Sequence, residues 1–107
     1  MGKKEDRAIY IGKQDLYEWT LSDGGKDMLM PLLYKGTKKL INKNKDSVHC
    51  CRVECFVRDE LKAFDFYVKK NEIKDTLEKL MDWALENENY EICSEIKSLE
   101  SKVENLK

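Results

Sequence analysis

Residues 71–106 have the sequence NEIKDTLEKLMDWALENENYEICSEIKSLESKVENL, and their apolar positions recur with a helical period. The first predicted helix has its apolar residues on one face: Ile73, Leu77, Leu80, Met81, Ala84 and Leu85. The polar run 86–89 ends it, and Asn71 and Asn89 are suitable N-caps for the two helices. We therefore predict that the chain is organised around a C-terminal hairpin of two helices.

The second predicted helix carries a heptad-like seam, in which apolar residues are spaced alternately by four and three positions. The seam consists of Ile92, Ile96, Leu99, Val103 and Leu106. A two-helix hairpin has little interior of its own, so it must bury this face on the rest of the chain or on a partner. We predict that the outer end of the hairpin projects and docks. The predicted partner-binding residues are Tyr90, Glu91, Lys97, Leu99 and Val103. The alternative is an ordinary helical pair that covers a sheet.

Residues 77–97 resemble the UVR motif, a helical hairpin found in bacterial excision-repair and Clp-associated proteins. The matching positions are Leu77, Glu78, Met81, Ala84, Tyr90, Glu91, Cys93 and Ser94. The match ends at Lys97-Ser98, where the motif has Arg-Asp, and Glu100 occupies an Ile position of the motif. The resemblance implies a hairpin that mediates protein–protein contacts, through another protein or a second copy of the chain.

Two segments before the hairpin have the period of two that is typical of strands. They are VHCCRVECFV (48–57) and LKAFDFYV (61–68). In the first, one face is predicted to carry Cys51, Val53, Cys55 and Val57. Because only Asp59-Glu60 is available as a tight connection, we predict an antiparallel hairpin.

The N-terminal part is predicted to be mostly extended. Three short segments are predicted as strands: RAIYIG (7–12), LYEWTL (16–21) and TKKLI (37–41). Residues 26–34 are ambiguous, because their leucines and methionines form a helical stripe whereas Pro31 disfavours a helix interior. We favour an extended or irregular segment there.

These elements together predict an α+β fold. The 107 residues, of which 41% are hydrophobic and 38% charged, are enough for one small domain with a solvated surface. We predict an antiparallel sheet of about four or five strands over residues 1–70. The helical hairpin of residues 71–107 is expected to pack on this sheet or to project from it.

The charge distribution favours a protein partner over nucleic acid. Residues 1–45 contain ten Lys and Arg against six Asp and Glu, a net charge of +4, and the remainder has a net charge of −5. Nucleic-acid-binding domains usually have a strong basic excess, which this chain lacks. The alternative is a small nucleic-acid-associated protein that uses one basic stretch. That stretch contains Lys35, Lys38, Lys39, Lys43 and Lys45.

The cysteines suggest a core role more than a metal site. His49, Cys50, Cys51 and Cys55 lie close in sequence, which leaves zinc binding open as an alternative. However, neighbours on a strand point to opposite faces, and free cysteine is a common core residue. We predict no metal, no cofactor and no catalytic residues, and we expect cytoplasmic location because no apolar targeting segment is present.

The predicted function is therefore a non-enzymatic, regulatory protein–protein interaction through the C-terminal hairpin. The single proline and the abundance of Lys, Asn and Glu are typical of an AT-rich bacterial or phage genome. The hypothesis thus includes a protein encoded by a phage or mobile element.

Overall fold

The computed structural model describes residues 8–105 and has an α+β fold. The elements in order are β1 (Ala8–Tyr10), α1 (Leu16–Leu21), α2 (Asp23–Asn42), β2 (Ser47–Val57), β3 (Glu60–Lys69), a 3-10 turn (Lys70–Glu72), α3 (Ile73–Glu86) and α4 (Tyr90–Glu104). Within the described residues, the α+β class is confirmed, but three strands replace the predicted four or five.

The sheet is mixed and has the strand order β1-β2-β3. β2 and β3 form the predicted antiparallel hairpin, in which Val53 is paired with Phe64. β1 instead runs parallel to β2, with Ile9 paired with Val53. The prediction of a purely antiparallel sheet is therefore wrong. The reason is that two helices separate β1 from β2 in the chain, and a helical crossover of this kind returns the chain parallel to its first strand.

The largest correction concerns residues 16–42, which are helical throughout apart from the corner at Ser22. The strands predicted at 16–21 and 37–41 are wrong, as is the extended segment at 26–34. Both helices have side-chain caps. Asp15 Oδ1 accepts a hydrogen bond from the Glu18 N–H at 3.0 Å, and Ser22 Oγ accepts one from the Gly25 N–H at 3.0 Å.

Pro31 is accommodated inside α2 because it lies on the exposed side of the helix. A proline has no N–H to donate, so the carbonyl of Asp27 loses its helical partner. Asp27 is also exposed, and water can replace the missing hydrogen bond. The opposite side of α2 carries a buried stripe that spans both predicted strand and predicted irregular segments: Leu29, Gly36, Thr37, Leu40 and Ile41.

A β-bulge in β2 sets which side chains face the helices. His49 is paired with Tyr67, but the next residue of β3, Phe66, is paired with Cys51, so Cys50 is an extra residue in the ladder. Before the bulge Val48 is buried, and after it Cys51 and the following alternate residues are buried. The bulge therefore shifts the alternation by one residue and keeps both halves of β2 packed on the helices.

A two-residue turn connects β2 to β3. Arg58 and Asp59 have φ values of 52° and 66°, which is the left-handed pair that a tight hairpin turn requires. The turn lies one residue earlier than the predicted connection at Asp59-Glu60.

The two C-terminal helices are present and pack on each other. Asn89 is the predicted N-cap of α4, since its side chain accepts a hydrogen bond from the Ile92 N–H at 3.2 Å. Asn71 does not cap α3. It lies inside the 3-10 turn, and α3 begins two residues later, at Ile73.

The core has two clusters that meet along α2. The larger one joins α2 and the N-terminal end of β2 to α3 and α4, with Leu40, Leu77, Leu80 and Ile96 essentially inaccessible. The smaller one joins α1 and α2 to the middle of the sheet: Ile11, Trp19, Leu29, Cys51, Val53 and Cys55. Both clusters lie on the same side of the sheet, because the buried residues of β2 share one face.

Candidate functional site

The other side of the sheet has no helix on it among the described residues, and we call it the open face. The strand register places paired residues on the same side of the sheet, which identifies its members. They are Ala8 and Tyr10 from β1, His49, Arg52, Glu54 and Phe56 from β2, and Leu61, Ala63, Asp65 and Tyr67 from β3. The open face therefore combines aromatic, apolar and charged side chains.

A hydrogen-bonded cluster lies at the centre of the open face. His49 Nε2 donates to Asp65 Oδ1 at 2.9 Å, and Arg52 Nε donates to the same oxygen at 3.1 Å. The ring of His49 meets the ring of Tyr67 edge to face, with centroids 5.2 Å apart and planes at 75°. The four side chains come from two adjacent strands, so the antiparallel register holds the cluster together.

The electrostatics of the cluster follow from these contacts. The hydrogen bonds from His49 and then from Arg52 stabilise the carboxylate of Asp65 and hold its pKa below the usual range. Asp65 is consequently an anion at neutral pH, and it fixes the orientation of the guanidinium and imidazole groups beside it.

Aromatic side chains extend the open face to one end. Tyr10 and Phe56 pack edge to face with ring centroids 6.3 Å apart, and Phe56 is paired with Leu61 across the ladder. Tyr10 is 61%, Leu61 54% and Tyr67 50% exposed, which is high for large apolar side chains on one surface. The arrangement is thus a charged row with apolar groups on both sides of it.

The partner-binding residues predicted on the hairpin fall into a buried group and an exposed group. Leu99 and Val103 are only 5% and 9% exposed, because the seam of α4 packs into the larger core cluster. The predicted outward-facing seam is therefore wrong for these two residues, and Leu106 lies outside the described residues. Tyr90, Glu91 and Lys97 are exposed at the surface of α4.

The basic stretch lies on α2 and the turn after it rather than on a strand edge. Lys38 Nζ is 3.7 Å from Glu95 Oε1 of α4 and 5.1 Å from the ring centroid of Tyr34. Tyr34 itself donates a hydrogen bond to Glu95. Lys38 thus contributes to helix packing, whereas the other four lysines are exposed: Lys35, Lys39, Lys43 and Lys45.

The cysteines are core residues on the helix side of the sheet. Cys51 and Cys55 are buried, and His49 points to the open face instead. Burial, with smaller effects from Cys50 and Asp65, raises the pKa of the Cys51 thiol to about 11. Within residues 8–105, no three His, Cys, Asp or Glu side chains are grouped as metal ligands would be.

A cavity of about 980 Å³ lies between α2 and the edge of β2 beside β1. Asp27, Pro31 and Leu32 form its helix wall, and Cys50 and Arg52 belong to its strand wall. Its wall on the β1 side ends at Ala8, where the described part of the chain begins, so we assign no ligand to it.

Comparison with known proteins finds no matching family model, no matching curated protein and no matching solved structure. In the described part of the chain, no helix has the length and apolar character needed to cross a membrane. The assignment of the open face as a candidate site therefore rests on its geometry alone.

The open face was not predicted as a site, although the sequence contains one signal of it. The outward positions of β2 and β3 include Phe56, Leu61 and Tyr67, where a solvated sheet face would carry polar residues. Apolar residues on both faces of a strand are typical of a sheet that is covered on both sides.

Proposed function

We propose that this chain is a non-enzymatic protein-interaction module that docks a partner protein on its open face. The supporting observation is the set of exposed apolar side chains, Tyr10, Leu61 and Tyr67, around the ordered Arg52–Asp65 pair. Aromatic residues and arginine supply most of the binding energy at protein interfaces.

The shape of the open face favours a macromolecular partner. Small-molecule sites are concave, whereas most of this surface is one side of a three-stranded sheet and the cavity beside α2 lies only at its edge. The shared hydrogen bonds to Asp65 hold Arg52 and His49 in place before binding, which lowers the entropy lost on association. Because Arg52 lies among Glu54 and Asp65, we expect a partner surface that is apolar with charges of both signs.

A paired set of variants tests this proposal. Tyr67→Ser with Leu61→Ser removes two large apolar groups from the open face. The control, Tyr17→Ser with Leu21→Ser, removes the same side-chain types from α1, where they are 71% and 55% exposed. Each tagged protein is incubated with bacterial lysate, and the captured proteins are quantified by mass spectrometry.

We expect a set of proteins that the unchanged chain and the α1 control retain and that the open-face variant loses. With a purified member of that set, the dissociation constant should rise about tenfold or more in the open-face variant. Equal retention by the two double variants would contradict docking on the open face.

The tip of the C-terminal hairpin is a second candidate surface. Leu85 and Tyr90 are exposed on either side of the turn between α3 and α4, next to Glu91. The resemblance to the UVR motif supports docking there, with Tyr90, Glu91 and Lys97 as contacts. Leu85→Ser with Tyr90→Ser in the same capture experiment separates the two surfaces, because only the surface in use should lose its partners.

Nucleic-acid binding is the alternative with separate support, since Lys35, Lys39, Lys43 and Lys45 are exposed. Binding through phosphate contacts weakens steeply as salt concentration rises. A labelled mixed-sequence DNA or RNA that does not bind at low salt would exclude this alternative.

A further inference from the structure

β3 is an edge strand whose outer edge is unpaired within the described residues. The direction of its backbone groups follows from the ladder with β2. The Lys70 N–H donates to the Asp46 carbonyl at 2.8 Å, and Glu60 is paired with Val57 at the tight turn. Because backbone groups alternate in direction along an antiparallel strand, the even-numbered residues of β3 bond to β2. The odd-numbered residues 61–67 therefore direct their N–H and C=O groups to the outer edge.

The outer edge of β3 lacks most of the features that prevent an edge strand from pairing with another chain. β3 has ten residues, contains neither proline nor glycine, and its residues 60–65 are all exposed. The bulge of the hairpin lies in β2, so β3 itself is not bulged. A long, regular and exposed edge is a template for pairing with another strand.

We propose that a second copy of this chain pairs with β3 through its own β3, antiparallel, with the twofold axis at Phe64. The inference goes beyond docking on the open face, because it concerns the edge of the sheet, although Leu61 and Tyr67 belong to both surfaces. The dimer would have one continuous six-stranded sheet, in which the helices of both copies lie on one side and the two open faces adjoin on the other.

Charge and strand length disfavour two of the registers that keep the faces continuous. A pair centred on Asp65 places the carboxylates of the two copies opposite each other, and like charges directly opposite are destabilising. A pair centred on Phe66 aligns Lys62 with Lys70, which lies beyond the end of β3, so fewer residues are paired.

A centre at Lys62 would again oppose like charges, and the side chains favour Phe64 over its other neighbour, Ala63. A pair centred on Ala63 places Leu61 opposite Asp65, an apolar group against a carboxylate. A pair centred on Phe64 places Leu61 opposite Tyr67 and brings the two Phe64 rings together, and Phe64 is partly exposed in the single chain. Aromatic and apolar cross-strand pairs stabilise antiparallel ladders.

The remaining pairs in this register are also compatible. Lys62 faces the aromatic ring of Phe66, and Ala63 faces Asp65 without a second charge. The odd-numbered residues 61–67 of both copies form about eight interchain hydrogen bonds. Strand pairing alone buries less surface than a standard interface, so we expect a dissociation constant in the micromolar range.

Disulfide trapping tests both the partner and the register. At the twofold axis the Cα atoms of a non-hydrogen-bonded pair are about 4.5 Å apart, which suits a disulfide. Phe64→Cys should therefore form a covalent dimer under mild oxidation. Lys62→Cys is the matched control, because its two copies would be about 13 Å apart in this register. The unchanged chain controls for its four free cysteines.

The oligomeric state provides a second readout. By light scattering after size exclusion, the dimeric fraction of the unchanged chain should rise with concentration and dominate near about 100 μM. Ala63→Pro removes a donor from the outer edge only, at a place where edge strands tolerate proline. It should raise the dissociation constant about tenfold or more while circular dichroism stays unchanged.

A monomer throughout that concentration range would overturn the proposal, and Lys62 would then be the charge that keeps the edge unpaired. Equal crosslinking of Phe64→Cys and Lys62→Cys would overturn the register and the twofold pairing with it. Neither result depends on a heterologous partner, so failure of the dimer leaves the docking proposal standing. Ala63→Pro in the capture experiment separates the two, because it weakens the dimer and keeps Leu61 and Tyr67.

Discussion

At the scale of single residues, two glycines and one threonine lie at close contacts between elements. A Cβ on Gly25 would overlap the carbonyl oxygen of Trp19, so only glycine permits the sharp corner between α1 and α2. A Cβ on Gly36 would lie 2.5 Å from Cys50 Sγ, so this glycine lets α2 approach the bulge in β2. Thr37 is fully buried beside it.

We predict that Gly25→Ala lowers the free energy of unfolding by about 3 kcal/mol or more, because the clash involves backbone that cannot rotate away. Gly24→Ala is the matched control. A Cβ on Gly24 would have no atom within 4 Å, so this substitution should be neutral or stabilising by about 0.5–1 kcal/mol. Urea denaturation measures both. Equal effects of the two substitutions would contradict the close contact.

Thr37→Val is predicted to stabilise the protein by about 1 kcal/mol. Thr37 Oγ1 is buried with no hydrogen-bond partner among the described residues, and valine keeps the shape while removing the hydroxyl. Thr20→Val is the control, because the Thr20 hydroxyl donates to the Tyr17 carbonyl and its loss should bring no gain. Thermal denaturation compares them, and destabilisation by Thr37→Val would show that the hydroxyl has a partner.

At the scale of elements, strands with a period of two were predicted well and the N-terminal helices were not. The β2–β3 hairpin was predicted within about a residue at each end, because its alternation is continuous apart from Cys50. Residues 16–21 alternate over too few positions to separate a strand from a helical turn. The helical stripe of α2 was visible in sequence, but Pro31 was given too much weight, since its exposed position appears only in the structure.

Because of the cluster on the open face, we expect the free energy of unfolding to fall at acid pH. The pKa of Asp65 is lowered from its ordinary value of 3.8 by His49 and Arg52, so its contribution is complete well above that value and is lost as pH falls through the folded-state pKa. The difference in unfolding free energy between the unchanged chain and Asp65→Asn should be present at about pH 5, and it should shrink below pH 4.

Denaturant titrations at a series of pH values measure this difference. Arg52→Ala, which removes the second donor, should reduce the acid-dependent change without abolishing it. A difference that stays the same at all pH values would show that the Asp65 contacts do not persist in solution.

At the scale of the whole molecule, the apolar seam of the C-terminal hairpin packs in the core and is not available for docking. The α4 seam contributes Ile96, Leu99 and Val103 to the same core cluster as Leu40 of α2 and Val48 of β2. The apolar seam therefore has an intramolecular partner. Large exposed apolar groups lie instead on the open face, at the hairpin tip and on α1 and α2.

We predict that Leu99→Ala lowers the free energy of unfolding by about 3 kcal/mol, as expected for a buried leucine. Tyr90→Ala on the same helix should change it by about 0.5 kcal/mol or less, because Tyr90 is exposed. Chemical denaturation of the two variants compares them directly. If Leu99→Ala left stability unchanged, α4 would not be packed in the core.

The sequence by itself determined the α+β class, the β2–β3 hairpin and the two C-terminal helices, because each rests on a local period or cap such as Asn89. Only the tertiary structure decided the parallel position of β1, the burial of Leu99 and Val103, and the exposure of Tyr10, Leu61 and Tyr67. The physical reason is that a periodic apolar face indicates that the face is covered, but it does not identify the covering element. α2 supplies that cover for the hairpin, and the open face is the surface of the sheet that it leaves uncovered.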